Sequence, residues 1–568
     1  MTFRRTVTVL LASAALASCN MAPTTGITAQ APWAEFTKAT IDSWLKVDPY
    51  FAVYQGAHQF DGQFADWSPA GLKARGDFLR KVIADAKGYD KVDGRDKFER
   101  DYMVKVAEGQ LFWLETADQP HTNPGWYVGN FDPNVYLTRE YADKPTRAKA
   151  LAQFLEGVPA AAAQIKANLK GPIAAPLVTY GVSAFQGYAE FYPKDALSAF
   201  ADVQDPALQQ RLKDASAKAA AAMTDLATWL KGQEGAQASF ALGPDRFAQM
   251  LRDTEAVDVP LDQLEQVGEA DLKRNQDALK AACDQFAPGQ TIPACMDKMN
   301  ANKPAAGAVA EATSQIPMLT AFVKEKDLVS IPGTEQALVR QSPPYNAQNG
   351  AYIDPPGPFE KGIPSIYYIA APDPSWPAAK QADYIPGKDD LMFTSVHEVM
   401  PGHFLQFLHA NRAPSFFGRL FVGYAFAEGW AHYSEEMMWE AGLGNGDPEI
   451  HIGQLSNALL RDCRFLSAIR LHTKGMTIEQ STKFFQEACY QGEGTAEQQA
   501  RRGAYDPAYL NYTLGKLMIR KLRADWTATH GGRQGWKAFH DEFLTYGGPP
   551  IPLVRQAMMQ EDTPKAVF

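Results

Sequence analysis

The chain lacks the features that mark several common protein classes. After its first twenty residues, no stretch reaches the roughly 18 consecutive apolar residues that a membrane-spanning helix needs. Its net charge of -10 and pI near 5.6 give no basic face for nucleic acid and no polybasic segment for anionic lipid. The sequence contains no GxSxG, Walker A or GxGxxG pattern, which argues against serine-hydrolase and nucleotide-binding functions.

Cysteine is also scarce, because the 568 residues include only five. None shows the CxxC spacing that predicts a cysteine-ligated metal. Cys19 belongs to the N-terminal segment, which leaves Cys283, Cys295, Cys463 and Cys489. This even number favours disulfides in an oxidising compartment, and closeness in sequence favours the pairs 283–295 and 463–489. Four buried free thiols are the alternative, since a chain of this size does not need disulfides.

The N-terminus has the pattern of a secretion signal. Arg4 and Arg5 precede a short apolar run at 7–17, which is followed by Ser18 and Cys19. The Leu-Ala-Ser-Cys ending resembles a bacterial lipoprotein box, which implies removal of residues 1–18 and lipidation of Cys19. A plain signal peptide is the alternative. The resemblance predicts a periplasm-facing lipoprotein of the cell envelope, and the next residue, an asparagine, favours the outer membrane.

The body of the chain changes character along its length. Residues 19–32 are small, polar and interrupted by proline, as in a flexible tether. From residue 33 to residue 340, apolar residues recur at intervals of three and four residues, which predicts a helical N-terminal lobe. Residues 341–568 form the predicted catalytic lobe, in which Ser365–Ala370 is the best strand candidate. We predict a mainly α fold with a small β element beside the active-site helix; the lobes could form one continuous body.

The segment His397-Glu-Val-Met-Pro-Gly-His403 places two imidazoles and a carboxylate within seven residues. In HExxH zinc hydrolases, histidines one helical turn apart bind the metal and the glutamate is the general base. Here the histidines are six residues apart, and a regular helix would direct them about 120° apart. Pro401 and Gly402 could break the helix and turn His403 back towards His397. The segment is either a variant zinc site with a break at 400–402 or a coincidence.

Glu428 lies 25 residues beyond His403, at the start of another helical segment. It can supply the third ligand of a two-histidine, one-glutamate zinc site, and the small residues after it allow two helices to approach closely. The alternative is a helix-start carboxylate that interacts with the helix dipole, worth about 0.3–1 kcal/mol. Glu435 lies two turns further along the same face, where it could orient a ligand histidine or face solvent.

These motifs carry a family resemblance. His397–Gln406 together with Glu428–Glu435 resembles the bacterial DUF885 family, of unknown function and related to gluzincin-type zinc metallopeptidases. Further similar segments cover most of residues 240–530. The resemblance implies a mostly helical body with a central substrate cleft, and one zinc ion bound by the two histidines and Glu428. It does not identify a substrate.

The expected chemistry is hydrolysis of an amide bond. Zinc would lower the pKa of its bound water towards about 7, and Glu398 would take the water proton and pass it to the leaving amine. The oxyanion of the intermediate needs a hydrogen-bond donor, and Tyr512 and His472 are the candidates. Each has a structural alternative, as a buried tyrosine or as a helix-terminal histidine.

Substrate-binding candidates follow from charge and from the β element. Arg461, Arg464, Arg501 and Arg502 could bind a substrate carboxylate, although structural ion pairing is the commoner role of arginine. Tyr367 could line the cleft or pack in the interior.

The resulting prediction is a lipid-anchored zinc metallopeptidase that acts on small peptides. A non-enzymatic envelope lipoprotein that binds peptides or a protein partner is one alternative, although such a protein would not need Glu398. A zinc amidohydrolase acting on a non-peptide amide is the other. Membrane contact is expected only through the lipid anchor, no nucleic-acid partner is expected, and the oligomeric state stays open.

Overall fold

The structure is a computed structural model that describes residues 31–343, 346 and 350–568. The predicted signal peptide, the lipidation site Cys19 and all but the last two residues of the predicted tether lie outside these residues. The described part is mainly α-helical, which confirms the predicted fold class. None of the helices in it is long and apolar enough to cross a membrane.

The helices are numbered in chain order, and short 3-10 or π turns extend several of them. Residues 33–231 contain α1 (Trp33–Val47), α2 (Pro49–Tyr54), α3 (Pro69–Lys87), α4 (Gly94–Leu111), α5 (Gln119–Thr122), α6 (Gly125–Val128), α7 (Asn134–Thr138), α8 (Lys144–Asn168), α9 (Ala175–Phe191) and α10 (Pro206–Lys231). Residues 244–325 contain α11 (Pro244–Glu255), α12 (Leu261–Phe286), α13 (Ile292–Asn300) and α14 (Ala308–Glu325). The remainder contains α15 (Ala378–Tyr384), α16 (Lys388–Glu398), α17 (His403–Ala410), α18 (Phe416–Leu420), α19 (Tyr424–Glu440), α20 (Pro448–Thr473), α21 (Ile478–Cys489), α22 (Glu493–Tyr505), α23 (Asn511–Thr527), α24 (Trp536–Thr545) and α25 (Ile551–Met559).

A three-stranded sheet lies between α14 and α15 in sequence, as the sequence predicted. Its strands are β1 (Ala337–Gln341), β2 (Ala351–Asp354) and β3 (Ser365–Ile369). The spatial order is β1-β3-β2, with β1 parallel and β2 antiparallel to β3. All five residues of the central strand β3 are buried, which agrees with its uninterrupted run of β-branched and aromatic residues. The sheet also contacts α16, so it lies beside the helix that carries the first site motif.

The hydrophobic core forms two clusters. One is built mainly from α1–α10, and the other contains α11–α14 together with nearly all later elements. In sequence, the main parts of the two clusters meet between Leu230 and Leu242. The reason is that α12 packs along α20, where Gly268 leaves room for the ring of Phe465. The helices α11–α14 thus support the predicted catalytic part of the chain.

Two disulfides reinforce this second cluster. Cys283–Cys295 joins α12 to α13, and Cys463–Cys489 joins α20 to α21. Both pairings predicted from closeness in sequence are confirmed. A covalent loop of this kind stabilises the fold mainly by restricting the unfolded chain.

Candidate metal centre

The first site motif is broken where the sequence predicted. The helix α16 ends at Glu398, and α17 begins at His403. The Gly402 N–H reaches back to the carbonyl oxygen of Val396, at 2.9 Å. A side chain at Gly402 would overlap the carbonyl oxygen of His397, so this close return of the chain requires glycine. The break lets two histidines six residues apart point to one place.

The second motif holds this break in position. Trp430, on α19, donates its indole N–H to the carbonyl oxygen of Pro401 at 2.8 Å. Trp430 is fully buried, and it lies two residues after Glu428. A single hydrogen bond therefore links the broken motif to the helix that carries the third predicted ligand.

The three predicted ligands converge. The Nε2 atoms of His397 and His403 each lie 3.1 Å from the same Oε2 atom of Glu428. One potential ligand atom from each residue lies within 4.8 Å of the others. Both histidines are buried, while Glu428 is partly buried. Two imidazoles and one carboxylate form the donor set of catalytic zinc sites that keep a further coordination position open.

The surrounding hydrogen bonds fit a cation at this point. Glu435 accepts a hydrogen bond from Nδ1–H of His397 at 2.7 Å, which directs the Nε2 atom of the same ring at Glu428. A metal ion bound between Nε2 and the Glu428 carboxylate would take the place of the Nε2 proton, and Glu435 would keep the ring oriented. Glu435 is itself held by His432 and Arg461, each at 3.2 Å. Glu435 thus lies behind His397, on the opposite side of its ring from Glu428.

Local charges hold the carboxylates of the site in different states. Burial raises the pKa of Glu428, but the adjacent His403 and His397 outweigh burial, and the pKa lies well below its ordinary value. Burial raises the pKa of Glu398 above its ordinary value, although the charges of the two histidines oppose this. Glu428 is therefore anionic, as a metal ligand would need to be, whereas Glu398 has the raised pKa that suits proton transfer.

Glu398 lines a cavity beside the three predicted ligands. This cavity, of about 210 Å³, is also lined by His397 and Tyr512. Neither carboxylate oxygen of Glu398 has a hydrogen bond to another described residue, and its Oε2 atom is fully buried. A buried carboxylate without a partner is costly, so its place at a cavity wall points to a role towards a bound molecule.

Tyr512 lies beside the predicted metal ligand His397. Its ring centroid is 6.0 Å from that of His397, and its hydroxyl accepts a hydrogen bond from Arg502 at 3.3 Å. The structure adds Tyr424, which the sequence analysis missed. Its hydroxyl accepts from Arg502 at 2.8 Å and donates to Asp506 at 2.9 Å. Tyr424 precedes Glu428 by four residues on α19, so helical spacing could have indicated it.

Three other candidates lie elsewhere. His472 does not line the cavity, because its ring bonds to the backbone N–H of Leu242 and the carbonyl of Gly503. Burial lowers the pKa of His472 to about 4, which fits a neutral structural histidine. Arg501 is exposed, and its neighbour Arg502 lines the cavity instead. Tyr367 is fully buried in the central strand and does not line the cavity.

A glycine pair sets the distance between the helices that carry Glu428 and Tyr512. Gly429 of α19 faces Gly515 of α23, and both glycines are closely packed. A Cβ atom on Gly515 would overlap the carbonyl oxygen of Ala425 and lie 2.6 Å from Cα of Gly429. Backbone atoms cannot move away as a flexible side chain can, so the two helices would have to separate.

We expect Gly515→Ala to lower the free energy of unfolding by about 1–3 kcal/mol, the usual cost of overpacking. Chemical denaturation followed by circular dichroism measures it. Gly129→Ala is the matched control, since Gly129 has a helical φ of -59° and open space around its Cβ position. An unchanged stability of the Gly515 variant would show that this helix contact is looser than described.

Comparisons with known proteins place the chain in a family without assigning a function. No curated protein matches it. It resembles the structure of a "putative lipoprotein of unknown function" from Shewanella oneidensis, with a TM-score of 0.75 and 25% identity over 93% of this chain and 100% of the other. The crystal structure of a "putative lipoprotein" from Colwellia psychrerythraea gives a TM-score of 0.77 at 17% identity, over 93% of this chain and 98% of the other, which shows a shared fold. The family described as "Bacterial protein of unknown function (DUF885)" matches residues 49–558, and the chain therefore belongs to the DUF885 family.

Proposed function

We propose that the protein is a zinc-dependent hydrolase that cleaves peptide bonds in small peptides. One observation supports this most directly. Two imidazole nitrogens and a carboxylate converge within 4.8 Å, and the unpartnered carboxylate of Glu398 lies at the adjoining cavity wall. Ligands alone would suit a structural metal or a binding protein. A buried base beside an accessible cavity adds the group that hydrolysis needs.

In the proposed reaction, the metal site activates water and Glu398 transfers the proton. When bound, zinc supplies a Lewis acid that activates water and polarises a carbonyl oxygen. Glu398 takes a proton from the attacking water as the water oxygen bonds to the carbonyl carbon. It then delivers this proton to the amine nitrogen as the carbon–nitrogen bond breaks. The raised pKa of Glu398, caused by burial, favours this return of the proton.

Tyr512 and Arg502 are the donors available to the developing oxyanion. Tyr512 is buried at the cavity wall, and the Arg502 guanidinium holds its hydroxyl oxygen in place. Burial raises the pKa of Tyr512, so the phenol keeps its proton and can donate it in a hydrogen bond. Because Arg502 is fixed by Tyr424 and Asp506, these donors are oriented before a substrate arrives.

We place this hydrolase in the cell envelope as a lipoprotein. Two structural neighbours are described as "putative lipoprotein", and the N-terminal residues resemble a lipoprotein signal that ends at Cys19. The two disulfides suit an oxidising compartment of this kind. Attachment to the outer membrane, favoured by Asn20, is the finer part of this proposal.

Metal analysis tests the centre itself. We expect purified protein to carry about one zinc ion per chain, and His403→Ala to lose it, because a two-ligand remnant binds zinc far more weakly. Mass spectrometry of the metal content, with circular dichroism to confirm folding, measures both. His451→Ala is the control, since His451 stacks on Trp439 and lies outside the ligand group.

A correctly folded wild-type protein that stays metal-free after incubation with zinc would contradict the proposed centre. Zinc retained by the His403 variant would contradict the assignment of that ligand. Loss of zinc from the His451 variant would show that metal content reports overall folding rather than this site.

A further inference from the structure

The cavity at the metal centre is lined by three arginines: Arg461, Arg464 and Arg502. Two of them have carboxylate partners. Arg461 lies 3.2 Å from Glu435, and Arg502 lies 3.0 Å from Asp506. Arg464 forms no ion pair with any residue in the described part of the chain. The cavity therefore contains one positive charge that the protein itself does not balance.

Arg464 is both buried and held in place. Its side chain belongs to a residue that is only 7% exposed, and its Nε–H donates to Gln499 at 2.7 Å. The guanidinium lies over the ring of Tyr512, 4.6 Å from the ring centroid. Its two terminal amino groups have no hydrogen bond to the described residues. A buried guanidinium in this state is costly unless an anion arrives, so the geometry provides an anion-binding group that is already oriented.

The other charges of the cavity do not neutralise Arg464. Asp390 is the second carboxylate of the lining besides Glu398, and it accepts a hydrogen bond from Asn457. Burial raises the pKa of Asp390 to about 6, which weakens it further as a counter-ion. The ligand that completes this cavity should therefore bring a negative charge.

The position of Arg464 limits how far this charge can be from the bond that is cleaved. The Tyr512 ring connects the two points, since its centroid is 4.6 Å from Cζ of Arg464 and 6.0 Å from the ring of His397. An extended peptide advances about 3.5 Å per residue, so at most about three residues separate Arg464 from the metal centre. The cavity of about 210 Å³ is also smaller than the roughly 300–1,000 Å³ of usual ligand pockets.

We propose that Arg464 binds the C-terminal carboxylate of a short peptide, so that the enzyme removes one or two residues from the C-terminus. This inference rests on the proposed function. The planar guanidinium with two free amino groups matches a carboxylate bidentately, and Tyr512 packs against the guanidinium. Arg464 is then a substrate-binding residue, and it fixes the peptide end so that the penultimate or preceding carbonyl faces the metal ligands.

A comparison of two peptide libraries tests this on wild-type protein loaded with zinc. The libraries contain mixed tripeptides to hexapeptides, one with free C-terminal carboxylates and one with C-terminal amides. We expect cleavage of one or two C-terminal residues in the first library, and kcat/KM lower on the order of 10²-fold in the second. Mass spectrometry of the products gives both results, and acetylation of the N-terminus should have little effect.

A variant links the effect to Arg464. We expect Arg464→Met to raise KM on the order of 10²-fold for free-acid peptides, with a smaller change in kcat and unchanged zinc content. For amide peptides the variant should match the wild type. Arg501→Met is the matched control, because Arg501 is exposed and does not line the cavity, so this variant should leave the cleavage of both substrates unaffected.

The cleavage results, together with affinity selection of the same libraries, separate this inference from the proposed function. Cleavage of acid and amide peptides at equal rates, or removal of N-terminal residues, would overturn the carboxylate site and leave the hydrolase intact. Absence of all hydrolysis would contradict the proposed function. In that case, retention of free-acid over amide peptides by the wild type, lost in Arg464→Met, would support the anion site, and equal retention would refute it.

Discussion

Replacing Glu398 with glutamine should lower peptide hydrolysis by about 10²–10⁴-fold while zinc stays bound, because a positioned general base contributes a factor of this size. The Glu398 carboxylate has no hydrogen bond to the described residues, so the substitution removes no structural contact. Glutamine has nearly the same shape and cannot accept a proton. We expect kcat to fall with little change in KM, since the loss occurs in the transition state.

The experiment must distinguish loss of the general base from loss of a metal ligand. Zinc content of Glu398→Gln should equal that of the wild type, and the variant should be at least as stable because it lacks a buried, unpartnered carboxylate, whereas His403→Ala should lose the metal as well as the activity. Glu487→Gln, on the exposed surface of α21, controls for the chemical change itself. Hydrolysis retained by a zinc-loaded Glu398→Gln protein would remove Glu398 from the base role.

Sequence reasoning predicted the core of the site because its signals are local. Proline and glycine between His397 and His403 cannot continue a helix, so the break followed from backbone chemistry alone. Glu428 was predicted as the third ligand from its position 25 residues after His403 and from the expected donor set of zinc. Glu435 followed from helical periodicity, because two turns place it on the face of Glu428. Each inference required a single segment or a pair of segments with known chemistry.

The wall of the cavity was harder to predict because it depends on helix rotation and distant packing. Arg501 and Arg502 are adjacent in sequence, yet the rotation of α22 exposes the first and turns the second towards Tyr512. His472 has a side chain of a type that often acts in catalysis. Its hydrogen-bond partners, however, come from segments 230 and 31 residues away. No periodicity reveals such contacts, which form only when the helices pack.

Distant packing also decides which helices share a hydrophobic core. Proline-rich residues after 340 change the composition, so they suggested a boundary there. Hydrophobic faces do not reveal which neighbour they cover, and α12 covers α20 rather than the N-terminal helices. The contact that decides this, between Gly268 and Phe465, joins residues almost 200 positions apart.

Glu255, at the end of α11, is a buried acid whose ionisation should control stability. It is 2% exposed, and one of its oxygens accepts hydrogen bonds from the Ala425 backbone at 3.3 Å and from Asn511 at 3.0 Å. Its other oxygen is buried without a partner among the described residues. No described residue forms a salt bridge with it. Burial raises the pKa of Glu255 to about 8, which the hydrogen bond from Ala425 only partly offsets.

The direction of the effect follows from proton linkage. An unfolded glutamate has a pKa near 4.3, so between about pH 4.3 and pH 8 the folded protein holds a proton that the unfolded chain releases. Stability from this group is therefore complete below about pH 4.3 and declines as the pH rises through 8, by at most about 1.4 kcal/mol per pH unit. Across the whole interval the loss is about 5 kcal/mol.

Glu255→Gln should remove this dependence, because an amide keeps the shape of the protonated acid and does not ionise. We expect the variant to be close to the wild type in stability at pH 5 and more stable by about 3–5 kcal/mol at pH 9. Urea denaturation of both proteins at the two pH values gives the comparison, and Glu487→Gln should keep the wild-type dependence. A parallel pH profile for wild type and Glu255→Gln would show that Glu255 is already ionised in the folded protein. Because Ala425 lies in the first turn of α19, that result would also mean that a charge, rather than a neutral acid, caps the helix that carries Glu428.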